Sequence, residues 1–229
     1  PPGGARGLWL LGGTPRQQRL AYVRAMLRQP PRAKPGTKFL YSNVGYVVAG
    51  VMAEEAADQE WEELVARTLF KPLDMKTAGF GAVLLTPGRL DQPLPHRHSG
   101  GANVVLDRGA FGDNPPALAP AGTVHCSLGD WAKFAAEHLK GERGEGTLLK
   151  AETYQKLHTP YGGGDYAFGW ELSHGRLRHE GSNRYNFAIA ELDLRGQTAV
   201  LAASNVAGPG EGACGRAVSL GRRLLKEAR

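Results

Sequence analysis

A phenol and an amide lie two residues apart at Tyr41 and Asn43. A phenol can transfer a proton and an amide can hold a carbonyl oxygen, so the pair suits acyl transfer. Pro35-Gly36 predicts a turn before the pair, and Ser42 or Asn43 can cap the helix that begins near Val44. The loop is therefore expected to be held at both ends. The alternative is that Tyr41 only packs and Asn43 only caps the helix. A match of three residues is weak and by itself favours this alternative.

An imidazole is the second group that could take part in chemistry, within the segment 178–183. His179 lies at the end of a predicted strand, and Gly181 lets a substrate lie against the backbone there. The backbone amide of Ser182 is then available to donate to an oxyanion. The alternative is that His179 is a strand-end histidine with its hydrogen bonds satisfied, and that Ser182 and Asn183 are simple turn residues.

Hydrophobic residues at helical spacing predict the elements that must position these groups. Asp58 can cap a helix that ends before Pro72. The region 79–123 is rich in Gly, Pro, Asn and His, which predicts a long irregular region that walls a cleft. The predicted helices are 15–28, 44–57, the segment after Asp58, 128–140, 151–157 and a last helix that carries Cys214 and Leu225.

Beyond Gly164 the apolar residues repeat with a period of two, which predicts an antiparallel meander. Turns are expected at His174-Gly175 and at Arg195-Gly196. Cys214 falls on the apolar face of the last helix, so it is expected to be a small buried residue. The predicted strands are 166–172, 176–179, 187–194 and 198–205.

The pattern of helices and strands predicts two parts in the chain. Residues 1–125 would form a helical subdomain with cleft loops that carries Tyr-Ser-Asn. Residues 126–229 would form an α/β part with the antiparallel meander, the segment His-Glu-Gly and the C-terminal helix.

Composition bounds the classes of partner. The 229 residues are enough to bury a sizeable core, and the formal charge of +6 is spread along the chain, which indicates a solvated surface rather than a nucleic-acid site. Two cysteines are too few for a disulfide framework, and their number does not determine whether the protein works in an oxidising or a reducing compartment. His96-Arg97-His98 and His125-Cys126 do not supply four ligands at zinc spacing, so no metal and no cofactor are expected.

Two features bear on location. The longest apolar stretch, 44–53, is too short to span a bilayer. The first residues show no signal-peptide pattern and have the character of the middle of a loop, as though sequence preceded them.

Several motifs together resemble one known family. Tyr-Ser-Asn at 41–43 is similar to the Tyr-x-Asn motif, and His179-Glu180-Gly181 to the His-x-Gly form of the Lys-Thr-Gly motif, of the serine beta-lactamase and penicillin-binding-protein-like superfamily. The similarity is to its branch of class C lactamases, D-Ala-D-Ala carboxypeptidases and related esterases. The other similar segments, in the same order, are 69–75 with Asp74 where Gly is usual, 120–122, 127–131, 168–170 and Asn205.

The family's nucleophile is the Ser of a Ser-x-x-Lys motif on a helix before Tyr-x-Asn. No Ser in this chain has a Lys three residues later. Thr68, Thr147 and Thr153 have one, but they follow Tyr41, which is the wrong order. The resemblance therefore implies an α/β, beta-lactamase-like fold with an antiparallel sheet flanked by helices plus a helical subdomain. Its N-terminal strands and nucleophile helix would be missing from this chain, and an N-terminal fragment that carries the nucleophile would complete it.

The resemblance also implies roles for single residues. Tyr41 would assist the nucleophile, provided that cationic neighbours lower its pKa, and Asn43 would hold the substrate amide or the missing Lys. His179 would orient the substrate and help to move protons, with the Ser182 amide as an oxyanion donor. The expected substrate-binding residues are Gly181, Ser182 and Asn183.

The implied function is a serine hydrolase that acts through an acyl-enzyme. The expected partner is a small-molecule substrate, either an ester, a beta-lactam or a D-amino-acid peptide, with esterase activity preferred. A non-catalytic binding module with a similar cleft is the main alternative, and a basic nucleic-acid binder is a remoter one. A periplasmic or secreted location agrees with the resemblance, and a cytoplasmic one stays open.

Overall fold

The computed structural model describes residues 7–83, 91–106, 112–162 and 164–228. The helices are α1 Pro15–Leu27, α2 Asn43–Ala57, α3 Trp61–Val65 with a π-helical turn Ala66–Phe70, α4 Ala119–Gly122 after a 3-10 turn Pro116–Leu118, α5 Leu128–Glu142, α6 Ala151–Leu157 and α7 Pro209–Glu227. The strands are β1 Gly79–Phe80, β2 His96–Ser99, β3 Ala102–Val105, β4 Val124–His125, β5 Glu171–Ser173, β6 Arg176–Ser182, β7 Phe187–Asp193 and β8 Thr198–Ser204.

The largest sheet is an antiparallel meander with the strand order β5-β6-β7-β8. Two small antiparallel pairs, β1 with β4 and β2 with β3, lie outside it. In the meander His179 lies opposite Ala190, and Ser182 at the end of β6 lies opposite Phe187. The predicted α/β fold with an antiparallel meander is confirmed.

Helices cover both faces of the meander, because alternate residues of a strand point to opposite sides. On one face α5 packs against Leu177, Ala190 and Leu192, whose side chains share an apolar cluster with Leu139 and Trp170. On the other face α7 contributes the buried residues Cys214 and Val218, which pack against Phe187, Ile189 and Ala202. Cys214 is 4% exposed, so its predicted burial is confirmed.

A separate apolar cluster lies between α1 and α2 and includes Tyr22, Val47 and Val51. Arg19 of α1 is fully buried beside it and forms ion pairs with Glu54 at 2.5 Å and with Glu62 at 2.6 Å. A buried guanidinium must be paired to avoid a large desolvation cost. The pairs therefore connect α1, α2 and α3 in the part of the fold that carries Tyr41.

Side-chain caps begin three of the helices whose positions the sequence predicts. Thr14 forms a capping box with Gln17 at the start of α1. Ser42 accepts a hydrogen bond from the Gly45 amide at 3.2 Å, so Ser42 caps α2 and Asn43 is its first residue. Ser127 caps α5 in the same way, at 3.2 Å from the Asp130 amide. The helices predicted over 15–28, 44–57, 128–140 and 151–157 are confirmed to within two residues.

Three local predictions are wrong. Asp58 does not cap the third helix; it ends α2 in a left-handed conformation with φ 46°, and Glu60 precedes α3. Residues 166–170 form a turn rather than a strand, since Gly169 has φ +92° and the Ala167 amide donates to the Trp170 carbonyl at 2.6 Å. The region 79–123 is not irregular throughout, since it contains a hairpin, β2–β3, whose strands are largely exposed and so lack an apolar alternation; residues 84–90 and 107–111 of this region lie outside the described residues.

No helix in the described ranges is long and apolar enough to cross a bilayer. The division of the chain at 125 and 126 stays a prediction.

Candidate active site

A cavity of about 320 Å³ opens between the loop before α2 and the β5–β6 edge of the meander. Tyr41 lines it from the loop and His179 lines it from β6, so the phenol and the imidazole meet at one place. Its lining residues are Phe39, Tyr41, Asp165, Tyr166, Glu171, Arg178, His179 and Glu180.

Aromatic contacts hold the loop in place against the sheet. The ring of Phe39 stacks on the ring of Tyr166, with centroids 5.0 Å apart and planes at 26°. The ring of Tyr41 meets the same tyrosine edge-on, at 5.6 Å and 88°. Upstream, Gly36 has φ +74° and Thr37 donates from its hydroxyl to the Lys34 carbonyl at 2.6 Å, which forms the predicted turn. The loop is thus fixed at the turn, at the rings and at the Ser42 cap.

Burial affects the chemistry of Tyr41. It raises the pKa of this phenol above its usual value, and the neighbouring Tyr46 adds to the effect. The one cationic side chain among the described residues of the cavity lining, Arg178, pairs with Glu180 at 2.6 Å. The phenol of Tyr41 therefore stays protonated at neutral pH. The lining residues that the structure describes thus give Tyr41 no unpaired cationic neighbour, which its expected role requires.

His179 is a half-buried imidazole that opens onto the cavity. Burial lowers its pKa, while a hydrogen bond to the backbone of Gly169 and the charge of Glu180 oppose this effect. Its Nδ1 lies 3.5 Å from the hydroxyl of Tyr166. The ring is therefore neutral at physiological pH and can accept a proton.

The other predicted site residues lie outside the lining of this cavity. Asn43 is exposed at the first turn of α2. Asn183 donates from its side-chain amide to Asp113 at 2.8 Å and accepts from the Asn186 amide at 2.7 Å, so its side chain builds the turn after β6. Ser182 accepts from the Arg184 amide at 3.0 Å in the same turn. These two side chains are engaged within the chain, which leaves their backbone groups as the candidates for substrate contact.

Gly181 lies between His179 and this turn and is exposed. A Cβ built on it would meet no atom within 4 Å, so the space above its backbone is open. This agrees with the expectation that a substrate lies against the strand here.

Tyr166 and Tyr46 are the site residues that the sequence analysis missed. In the sequence Tyr166 belongs to an alternating apolar pattern, and it stands two residues before the Phe168-Gly169-Trp170 motif. Tyr46 lies on the first turn of α2, with its hydroxyl 3.5 Å from that of Tyr166. The position of Tyr166 beside a family motif is the one signal that could have identified it.

The histidines considered as metal ligands have other partners. Nδ1 of His125 lies 2.8 Å from the Gly81 carbonyl, and Nδ1 of His98 lies 2.8 Å from the Asn103 side chain. Within the described residues there is no group of three or more side chains able to hold a metal ion.

Sequence comparison relates most of the chain to known proteins. A family described as "Beta-lactamase" matches residues 5–221. The chain is 27% identical over 122 residues to "Unguisins hydrolase ungD" of Aspergillus violaceofuscus, and this match covers 49% of this chain and 20% of that protein. It is 24% identical over 166 residues to "Putative penicillin-binding protein PbpX" of Bacillus subtilis, and this match covers 72% of this chain and 40% of that protein. The chain thus spans less than half the length of these curated relatives.

Solved structures show the same fold. A penicillin binding protein from Bacillus halodurans has a TM-score of 0.71 at 18% identity and covers 90% of this chain and 62% of its own. An octameric penicillin-binding protein homologue from Pyrococcus abyssi has a TM-score of 0.67 at 22% identity, covering 84% and 44%. D-amino acid amidase from Ochrobactrum anthropi has a TM-score of 0.60 at 19% identity, covering 82% and 56%. At these identities the likeness is one of fold.

Proposed function

The chain belongs to the beta-lactamase family, and from this premise we propose that it forms the proton-transfer and substrate-binding part of a serine hydrolase that acts through an acyl-enzyme. The observation that carries the proposal is the shared cavity, which Tyr41 lines from the helical part and His179 lines from the sheet. Acyl transfer needs a nucleophile, a group that moves its proton and donors for the oxyanion.

In this proposal the nucleophile lies outside the 229 residues, on an N-terminal segment with a Ser-x-x-Lys motif. Among the described strands β8 pairs with β7 alone, so its outer edge is open to a further strand from that segment. The Lys of the motif would supply the positive charge that Tyr41 lacks within this chain. That charge would bring the pKa of the phenol down into the range of a useful base.

The proposed reaction has two steps. The serine oxygen attacks the substrate carbonyl and its proton passes through Lys and Tyr41 to the leaving group, as the carbonyl–leaving-group bond breaks. Water then attacks the acyl-enzyme, a proton from water returns to the serine and the acid is released. The Ser182 amide and the amide of the nucleophile stabilise the oxyanion in both steps, while Asn43, Gly181 and Asn183 contact the substrate.

His179 would orient the substrate carbonyl and accept a proton, because its neutral ring faces the cavity. The substrate is an ester, a beta-lactam or a D-amino-acid peptide or amide, with an ester preferred. The last class is retained because two structural neighbours are named as a D-amino acid amidase and a D-stereospecific amidohydrolase.

The experiment is covalent labelling of the complete gene product that contains this sequence, with a fluorescent fluorophosphonate and a fluorescent penicillin. The expected result is one adduct, mapped by mass spectrometry to a Ser-x-x-Lys serine before Pro1. The 229-residue chain alone is the matched control and is expected to stay unlabelled. Reversible penicillin binding without an adduct would contradict catalysis and indicate a non-catalytic binding module. This module is the second candidate function, because the 229-residue chain contains no Ser-x-x-Lys motif.

A further inference from the structure

Tyr166 contacts residues of three different elements around the cavity. Its ring packs against Phe39 at 5.0 Å and against Tyr41 at 5.6 Å. Its hydroxyl lies 3.5 Å from the hydroxyl of Tyr46 and 3.5 Å from Nδ1 of His179. One side chain thus connects the loop, the first turn of α2 and strand β6.

The backbone around Tyr166 is fixed independently of those contacts. The Leu172 amide donates to the Asp165 carbonyl at 2.6 Å, which closes the turn formed by residues 165–172. Trp170 anchors this turn in the core, where it is 6% exposed. The Phe168 amide donates to the Leu157 carbonyl at 3.3 Å, which joins the turn to the end of α6. Tyr166 is therefore presented to the cavity by rigid structure.

The same turn contacts the imidazole at two points. The ring of His179 hydrogen-bonds the backbone of Gly169, and its Nδ1 faces the hydroxyl of Tyr166. Partners at these points restrict the orientation of the imidazole, and the hydrogen bond that one ring nitrogen makes selects which tautomer is present. Burial raises the pKa of Tyr166, so its hydroxyl keeps its proton at any physiological pH.

We propose that Tyr166 is the positioning residue of the site: its hydroxyl orients the ring of His179, and its aromatic face sets the place of the Tyr41 ring. The kinetic consequence depends on the proposed hydrolase function, while the effect on His179 does not. Tyr166 touches no reacting atom in this proposal and acts through the two residues that it orients.

The test is a nuclear magnetic resonance titration of the complete gene product with isotope-labelled histidine, wild type against Tyr166→Phe, which keeps the ring and removes the hydroxyl. The His179 signals are assigned by their loss in His179→Gln. The expected result is a changed Nδ1 chemical shift and a titration midpoint displaced by about 0.4 pH units. An upward displacement means that the hydroxyl donates to Nδ1 and a downward one that it accepts, and either supports the proposal.

Tyr161→Phe is the matched control, because Tyr161 is 77% exposed. This substitution is expected to leave the chemical shift and the titration midpoint of His179 unchanged. An unaltered His179 shift and midpoint in Tyr166→Phe, with a thermal melt equal to that of wild type, overturns the positioning role. Kinetics of the complete protein separate the two proposals. If Tyr166→Phe displaces the His179 titration midpoint but the complete protein has no hydrolase activity, the proposed function alone is refuted. If the complete protein is an active hydrolase and Tyr166→Phe leaves its kcat unchanged, the positioning role alone is refuted.

Discussion

Tyr41 carries the hydroxyl on which the proposed proton transfer depends. The residue is 55% exposed, and its hydroxyl makes no hydrogen bond within the described residues. Removing this oxygen therefore costs little packing and leaves no buried group unpaired. Its structural role and its chemical role can be separated by one substitution.

We expect Tyr41→Phe in the complete gene product to lower turnover by at least about 100-fold, the usual contribution of a general acid or base. Stability is expected to change by less than about 0.5 kcal/mol, as for a surface substitution. Turnover of a chromogenic ester and a denaturant titration measure the two quantities. Tyr161→Phe, at a 77% exposed position, is the control. Turnover equal to wild type in Tyr41→Phe would reduce Tyr41 to a packing residue.

His138 is a buried histidine in a chain of hydrogen bonds away from the cavity. Its Nδ1 lies 2.8 Å from Nε2 of His158, whose Nδ1 in turn lies 2.6 Å from the Glu142 carboxylate. Burial, and then the charge of His158, lower the pKa of His138 from 6.5 to about 4, although Glu137 opposes this. The folded state therefore resists protonation of His138, which the unfolded state accepts readily.

This shift predicts how stability depends on pH. Between pH 6.5 and about 4 the unfolded chain binds the His138 proton and the folded chain does not, so stability is lost as pH falls through this window, by up to about 3 kcal/mol. Urea titrations across the window measure the slope. His138→Phe is expected to flatten it, and His174→Phe, an exposed position, is expected to leave it unchanged. The same slope in His138→Phe and wild type would refute the assignment.

At the scale of elements, α5 and α6 approach each other closely at Gly141. A Cβ on Gly141 would overlap the ring of Tyr154, which is 2% exposed and donates to Glu137 at 2.6 Å. The glycine thus permits the close approach of Tyr154, whose ring also contacts that of His138.

Gly141→Ala is expected to destabilise the fold by about 1–3 kcal/mol, because the ring of Tyr154 has no space to move. Gly129→Ala, in the same helix, would place its Cβ 3.8 Å from Ser127, an ordinary contact. That control is expected to be neutral or slightly stabilising. Chemical denaturation measures both, and equal stabilities for the two variants would show that the helices can separate without cost.

Element boundaries were predictable where local chemistry decides them. Caps at Thr14, Ser42 and Ser127 begin helices within one residue of the starts that the sequence predicts. The turn at 166–170 was not, because Tyr166, Phe168 and Trp170 alternate as in a strand while Gly169 reverses the chain. Their alternation arises from tertiary packing, which a pattern of period two cannot distinguish from pairing.

The candidate site shows the same limit. Tyr41 and His179 were identifiable from motifs, and the structure places both at one cavity. Tyr166, which lies between them, was not identifiable as a site residue, since its partners come from segments 120 and 13 residues away in sequence. Contacts of that kind depend on the assembled fold.

At the scale of the whole molecule, the apolar cluster of α1 and α2 is distinct from the two clusters that flank the meander. The cavity lies where the loop before α2 reaches the β5–β6 edge of the meander. The proposed function therefore depends on how this loop packs on the sheet edge, which the ring contacts of Phe39 and Tyr41 with Tyr166 determine.

The most direct measurement is a set of nuclear Overhauser effects between aromatic rings in the chain labelled with carbon-13 at Tyr and His. The ring centroids of Tyr166 lie 5.6 Å from Tyr41 and 6.4 Å from His179. The account predicts effects from the ring protons of Tyr166 to those of both residues. Effects to only one of them would contradict it, because the phenol and the imidazole would then face separate regions of the molecule.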